Sequence, residues 1–201
     1  MRILALDAAL GACSAGMVAD GSLLASLTAD GSDRLPALVR DVLAEAGPAF
    51  DAVAVTIGPG SFTGIRAALA LAHGIALARN LEPLGITVRE ALAALSARPL
   101  WAAIDTRRGR VFLDRGGPIE TLRLDALPTP DGPIAIAGDA AASVAARLAA
   151  RGADVQLLPA RRPNPLGIAL AATHVPPRPA QPLYVDPPEA RPGPAGRPAP
   201  A

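Results

Sequence analysis

The run Thr56-Ile57-Gly58-Pro59-Gly60-Ser61-Phe62-Thr63-Gly64-Ile65-Arg66 constrains this chain more than any other stretch. Ala52-Val53-Ala54-Val55 before it has the apolar, β-branched composition of a buried strand. A helical segment from about Gly64 to Asn80 follows. Gly58 and Gly60 allow backbone approaches that a Cβ forbids, and Pro59 stiffens the turn. Ser61 or Thr63 can cap the helix by accepting from its unpaired N–H groups. Two readings are open: a plain strand–turn–helix junction, or an anion site built on the exposed N–H groups of a helix start. The loop lacks the Gly-Lys-Ser/Thr ending of a Walker-type phosphate loop.

The helix after the loop is apolar almost all round. At 100° per residue, Leu71 and Ile75 fall on one side, Ile65 and Leu69 on another and Leu77 on a third. Gly64, Ala68, Ala72 and Ala76 form a strip of small residues at i, i+4 spacing. Such a helix needs burial on more than one side. One side can cover its own sheet; a second helix packed close on the small strip would cover the other, with Leu35 and Val39 of the preceding helix beside it. A central core helix with no partner is the competing reading.

Composition narrows the function classes. The net charge of +1 over 201 residues gives the whole molecule no nucleic-acid signature. All 19 basic residues are arginine, which removes lysine as a Schiff-base or phosphate group. A single cysteine, Cys13, leaves no intrachain disulfide or cysteine-based zinc site. The opening Met1–Asp7 reads as a strand rather than a signal peptide, and no apolar run reaches membrane-spanning length, so a soluble, cytoplasmic protein is expected.

Element order suggests two related halves. Ile3–Leu6 is a buried strand ending at Asp7; Cys13–Ala19 and Leu23–Thr28 form a hairpin through Asp20-Gly21. Ser32 is positioned to cap a helix that runs to Gly47-Pro48. The strand, loop and apolar helix follow, then a strand at Leu84–Val88 and a helix at Arg89–Arg98. From Pro99 the theme restarts: Leu100–Ile104 ends in Asp105, a hairpin turns at Arg107-Arg108-Gly109, and Val111–Leu113 returns. Ile134–Ala137, Gly138 and a helix at Ala140–Arg151 echo the strand, glycine turn and helix around Gly58. A core strand at Val155–Leu158 and a helix at Pro165–Thr173 complete the set. The expected organisation is an N-terminal lobe over 1–98, a smaller lobe over 99–175 and a proline-rich tail over 176–201, disordered from about 190, with Leu183-Tyr184-Val185 able to pack as a short strand.

Chemistry is sparse. Asp7 and Asp105, both at strand ends, can face each other across a cleft and hold magnesium and a nucleotide, or can be two solvated carboxylates. Gly11 and Gly138 would supply backbone freedom at such a site. His73 and His174 have no metal-ligand spacing. Arg107-Arg108 is a local basic turn. Ser61 has neither a nucleophile-elbow pattern nor an evident His/Asp partner.

The residues Gly58, Pro59, Gly60, Ser61, Phe62, Thr63, Gly64, Ile65 and Arg66 together resemble the signature of the bacterial TsaB (YeaZ) family. Ile3-Leu4-Ala5-Leu6-Asp7, Ala12-Cys13-Ser14, Arg34-Leu35-Pro36, Ile104–Gly109 and Pro182-Leu183-Tyr184-Val185 extend the likeness over residues 1–190. The resemblance implies an α/β, actin-like fold of the sugar kinase/Hsp70/actin (ASKHA) type, with two related lobes of mixed sheets flanked by helices. It also implies a non-catalytic scaffold subunit of the complex that makes N6-threonylcarbamoyladenosine at position 37 of tRNA. In that system a TsaD-like paralogue is the catalyst, a TsaE-like ATPase joins, and the chain alone forms a homodimer through N-terminal helices. It would hold no cofactor of its own, touch tRNA only through the complex, and have no membrane contact. A stand-alone actin-like ATPase or small-molecule kinase is the alternative. Three departures bear on this: Ala8 replaces a common hydroxyl, Gly31-Ser32-Asp33 replaces His-Ser-Glu, and Asp186 stands where a basic residue is common.

Overall fold

The strand β1 (Arg2–Asp7) is buried on both faces, which explains its unbroken apolar run. Leu4 and Leu6 point into one apolar cluster and Ile3 and Ala5 into another. A computed structural model describes residues 1–185, in which β2 (Ala12–Ala19) and β3 (Ser22–Asp30) follow as an antiparallel meander. Then come α1 (Leu35–Ala46), β4 (Ala52–Gly58), α2 (Phe62–Leu77), β5 (Leu84–Thr87) and α3 (Val88–Ala93). The first sheet runs β3-β2-β1-β4-β5, with β4 parallel to β1 and β5 parallel to β4.

The second half repeats this wiring. β6 (Leu100–Asp105), β7 (Val111–Asp114), β8 (Glu120–Leu122), β9 (Ile134–Ala137) and β10 (Val155–Leu157) form a sheet in the order β10-β9-β6-β7-β8, with α4 (Ala141–Ala149) between its last two strands. Its pairings match the first sheet strand for strand: β6 with β7 and β7 with β8 antiparallel, β6 with β9 and β9 with β10 parallel. One face of β6 (Leu100, Ala102, Ile104) joins the core beneath the first sheet, while Trp101 and Ala103 face α4. The lobes thus share a continuous apolar core. This is the actin-like architecture of two related lobes.

Several local expectations give way to packing. Ser32 makes no side-chain cap; a 3-10 turn at Ser32–Arg34 leads into α1 instead. Thr87 and Glu90 form a reciprocal capping box, so α3 starts at Val88 and ends at Ala93, well short of Arg98. β10 is an edge strand with Leu157 exposed, not a core strand, and the three-residue β8 carried no readable signal. The last helix, α5 (Pro165–His174), leaves the second lobe and packs on β1, β2 and α3, so its residues return to the first sheet. Its approach is close: a Cβ on Gly167 would come within 2.2 Å of the Ala91 carbonyl oxygen. Residues 183–185 form no strand, although Leu84 bridges Pro179. The Asp186 departure and the tail beyond it lie outside the described residues. No helix among the described residues is long and apolar enough to cross a membrane.

Candidate functional site

The signature loop lies flat on the backbone that follows β1. The Ser61 N–H donates to the Ala9 carbonyl at 2.7 Å. A Cβ on Gly60 would fall 2.2 Å from the Ala9 oxygen, and one on Gly64 would fall 2.0 Å from the Ala8 oxygen. Close approach therefore requires both glycines. Ser61 caps α2, its Oγ accepting from Gly64 N–H at 3.2 Å. These bonds occupy two of the N–H groups that an anion at the helix start would use. The same construction recurs in the second lobe, where Gly138 crowds the Ala103 carbonyl and Ala140 donates to it at 3.1 Å.

Arg66, one turn into α2, has a specific job. Its Nε donates to the Tyr184 hydroxyl at 2.8 Å, and its guanidinium lies 3.9 Å from the Phe62 ring centroid. Phe62 and Tyr184 stack with centroids 5.6 Å apart. The chain reaching Tyr184 runs as a strap along the first lobe: Gly85 donates to Arg178 at 3.0 Å, Leu183 donates to Ile57 at 2.8 Å, and His73 Nε2 bonds the Ala180 carbonyl at 2.9 Å. Sequence reading missed Phe62 and Tyr184 as partners of Arg66. The usable signal was scarcity, since the chain has a single tyrosine and three phenylalanines.

The faces of α2 are reversed from the expected arrangement. Gly64, Ala68, Ala72 and Ala76 are all buried, because this strip lies against β4 and β1 of the chain's own sheet. Leu35 and Val39 are likewise inside the first-lobe core, and Leu71 and Ile75 are half-buried against it. None of the small strip is available to a partner. Two apolar faces on one helix cannot be ranked from sequence alone; the smaller side chains turned inward because they let the helix sit close over Ala8. The outer face has Thr63, Ala70 and Leu77 on its midline, 81% of Leu77 being exposed. Arg66 and His73 flank one side, where the strap binds them. Ala67 and Gly74 flank the other, and nothing lies within 4 Å of a Cβ placed on Gly74. The neighbouring α1 instead turns Arg40, Asp41 and Glu45 outward.

Between the lobes lies a cleft of about 380 Å³, floored by Leu10, Ile104 and Phe112. Gly11 and Asp105 line it, with Asp139 and Arg107. Asp105 accepts from the Arg107 N–H at 2.7 Å, and Asp139 accepts from the Asp105 N–H at 2.8 Å, so both carboxylates hold the β6–β7 turn. Partial burial raises the Asp139 pKa, and the nearby Asp105 charge adds to the shift. Gly138 supports the backbone behind this wall.

Asp7 does not join Asp105 in the cleft. It is buried, accepting on Oδ1 from Thr56 Oγ1 at 2.5 Å and from Ala9 N–H at 3.1 Å. Burial raises its pKa to about 6, against the opposing pull of these bonds and of Arg162. It borders a separate hollow with Cys13, Ser14, Arg161 and Arg162. Among the described residues no cluster of three or more His, Cys, Asp or Glu could hold a metal ion.

Comparison with known proteins agrees with this architecture. The model of the family described as "TsaD: tRNA N6-adenosine threonylcarbamoyltransferase" matches residues 28–152, more than half of the chain. The chain is 35% identical over 123 residues to the tRNA threonylcarbamoyladenosine biosynthesis protein TsaB of Escherichia coli K12, a match covering 56% of this chain and 53% of that protein. It thus spans about half the length of that curated relative. An uncharacterized protein of Mycobacterium tuberculosis H37Rv is 30% identical over 207 residues, covering 94% of each chain. Among solved structures, YeaZ from Pseudomonas aeruginosa superposes with a TM-score of 0.72 at 26% identity, covering 91% of this chain and 99% of that one. The ethanolamine utilization protein EutJ from Carboxydothermus hydrogenoformans, at 15% identity, 85% and 89% coverage and a TM-score of 0.52, shares the fold. With the signature loop and the duplicated sheet wiring in place, these matches make the chain a member of the TsaB/YeaZ family.

Proposed function

We propose that this chain is a non-catalytic subunit in the synthesis of N6-threonylcarbamoyladenosine at position 37 of tRNA, pairing with a TsaD-like catalytic subunit. The E. coli relative is named for tRNA threonylcarbamoyladenosine biosynthesis, and the matching family description names the transferase. The observation that carries the pairing is the open outer face of α2, apolar along Ala70, Gly74 and Leu77 where the adjacent α1 is charged. Small residues at Ala67, Ala70 and Gly74 allow a partner helix to approach closely, and helix pairs pack at roughly 8–10 Å between axes. A stable interface buries on the order of 1,200–2,000 Å² in total, so neighbouring surface would contribute as well. In the chain alone the same face would serve a homodimer, and a TsaE-like ATPase would join the assembled pair. A non-catalytic role is supported by the cleft, whose two carboxylates are engaged by backbone N–H groups at the end of β6 and in the turn after it.

The deciding experiment is reconstitution of the modification from TsaD, TsaE and tRNA, with and without this chain. The expected result is modification only when the chain is present; equal modification without it would overturn the proposal. The inter-lobe cleft favours one other reading, a stand-alone actin-like ATPase or small-molecule kinase. Calorimetry with Mg-ATP separates the two, since tight binding with turnover by the chain alone belongs only to the second.

A further inference from the structure

The second lobe gathers four arginines around one open hollow of about 420 Å³ on the side of the β6–β7 hairpin. Arg108 and Arg110 come from the hairpin, Arg123 from just past the end of β8, and Arg147 from the last turn of α4. Among the described residues the only carboxylate in the lining is Asp125, which accepts two hydrogen bonds from Arg123, both at 3.2 Å. With Arg108 left out of the balance, Arg110, Arg123 and Arg147 against that one carboxylate leave a positive surplus in a concave, polar surface.

The fold gathers these exposed side chains from separate elements. Val111 pairs with Leu122 at the end of the β7–β8 ladder, and Arg110 and Arg123 are the residues just beyond that pair on the two chains. Like charges brought to the same end of a ladder are unfavourable without a counter-charge. Asp125 is hydrogen-bonded by Arg123 and also feels the charge of Arg147, whereas the Arg110 guanidinium has no hydrogen-bond or ion-pair partner among the described residues. Arg151 holds the segment after β8 in place, donating to the carbonyls of Asp125 and Leu127 at 2.8 Å each. Three separate elements thus bring arginine forks, which suit phosphate oxygens, to one place. The net charge of +1 for the whole chain hides this local concentration.

We propose that this hollow is a docking site for the phosphodiester backbone of RNA, placed on the second lobe, away from α2. The guanidinium cluster itself calls for phosphate; the choice of RNA as its source rests on the tRNA-modification reading above. A backbone engages several arginines at once, so its binding would fall steeply with salt.

The test is fluorescence anisotropy of the full chain with labelled tRNA transcript across a salt series, beside the double variant Arg110→Glu/Arg147→Glu. Arg40→Glu, exposed on α1 in the first lobe, serves as the control. The expected result is micromolar-range binding that the double variant weakens at least tenfold with a shallower salt slope, while Arg40→Glu matches wild type and all melt alike. Unchanged affinity in the double variant would overturn the site. Inorganic phosphate or ATP, titrated as competitors, must fail to displace the RNA at equimolar concentration; displacement would mark a small-phosphate pocket and overturn the RNA assignment. The binding assay contains no partner subunit, so its outcome is separable from the reconstitution: a chain dispensable for modification could still lose RNA with these two charges, and the reverse.

Discussion

Ser61 donates its backbone N–H to the Ala9 carbonyl at 2.7 Å, and this bond locks the signature loop onto the chain leaving β1. The neighbouring glycines exist for that contact. Gly60→Ala and Gly64→Ala would drive a methyl to about 2 Å from the Ala9 and Ala8 oxygens, where only backbone displacement gives relief. Each is expected to cost on the order of 1–3 kcal/mol or more. Gly74→Ala, on the same helix but facing open space, should instead stabilise by roughly 0.5–1 kcal/mol through helix propensity. Urea denaturation of the three variants at low protein concentration checks the pattern; equal effects at positions 64 and 74 would contradict it.

Patterning exposed the strands and the duplication because both rest on local signals. Leu4 and Leu6 alternate with Ile3 and Ala5 between two clusters, and the strand-end aspartates at 7 and 105 mark corresponding points of the two sheets. What sequence could not assign was direction. Asp7 and Asp105 look alike in the chain, yet one is buried on Thr56 and the other lines the cleft, because the β1 end is covered by the signature loop and the Arg161-Arg162 segment. The two apolar faces of α2 posed the same difficulty, since periodicity gives faces but not which one meets the sheet. Contacts far apart in the chain, such as Arg66 with Tyr184, left no periodic trace at all.

Ala70 and Ala72 differ by two residues and should differ in consequence. Ala72 is fully buried against the first sheet, so Ala72→Glu would bury an unpaired charge and unfold the protein, a loss of several kcal/mol. Ala70 is exposed on the midline of the outer face, so Ala70→Glu should leave the melting temperature of the isolated chain within about 2 °C while abolishing association. Light scattering and capture by a TsaD-like subunit read the second effect. Retained association in Ala70→Glu would remove this face from the proposed interface.

The Arg66 clamp predicts a local rather than global loss. Cation–π contact at exposed rings contributes about 0.5–1 kcal/mol, and the hydrogen bond to Tyr184 a similar amount. Arg66→Ala should therefore speed hydrogen exchange at Leu183 N–H, which donates to Ile57, while the amides of β1 exchange as before. Arg66→Lys should not restore protection, because lysine cannot offer the Nε donor and lie flat on Phe62 together. Exchange at Leu183 that is identical in all three proteins would show that the strap holds without the clamp.

Asp7 makes stability depend on pH in an unusual direction for a carboxylate. Its folded pKa is raised to about 6, above the ordinary range near 4, so the folded chain binds the proton more tightly than the unfolded chain. Its contribution is most favourable below about pH 4 and is lost as the pH rises through about 6. The gap between about 4 and about 6 sets a ceiling of roughly 3 kcal/mol on that loss. An asparagine side chain in its place would keep an oxygen for Thr56 Oγ1 and Ala9 N–H with no charge to bury. Asp7→Asn should thus gain on the order of 1–2 kcal/mol over wild type at pH 8 and nothing at pH 4. Asp114 and Asp139, also raised by burial, remain in both proteins, so the difference between their denaturation curves isolates position 7. A difference that stays constant from pH 4 to pH 8 would mean that the Asp7 carboxylate is ionised throughout, held by Thr56 and Arg162 more strongly than burial opposes it.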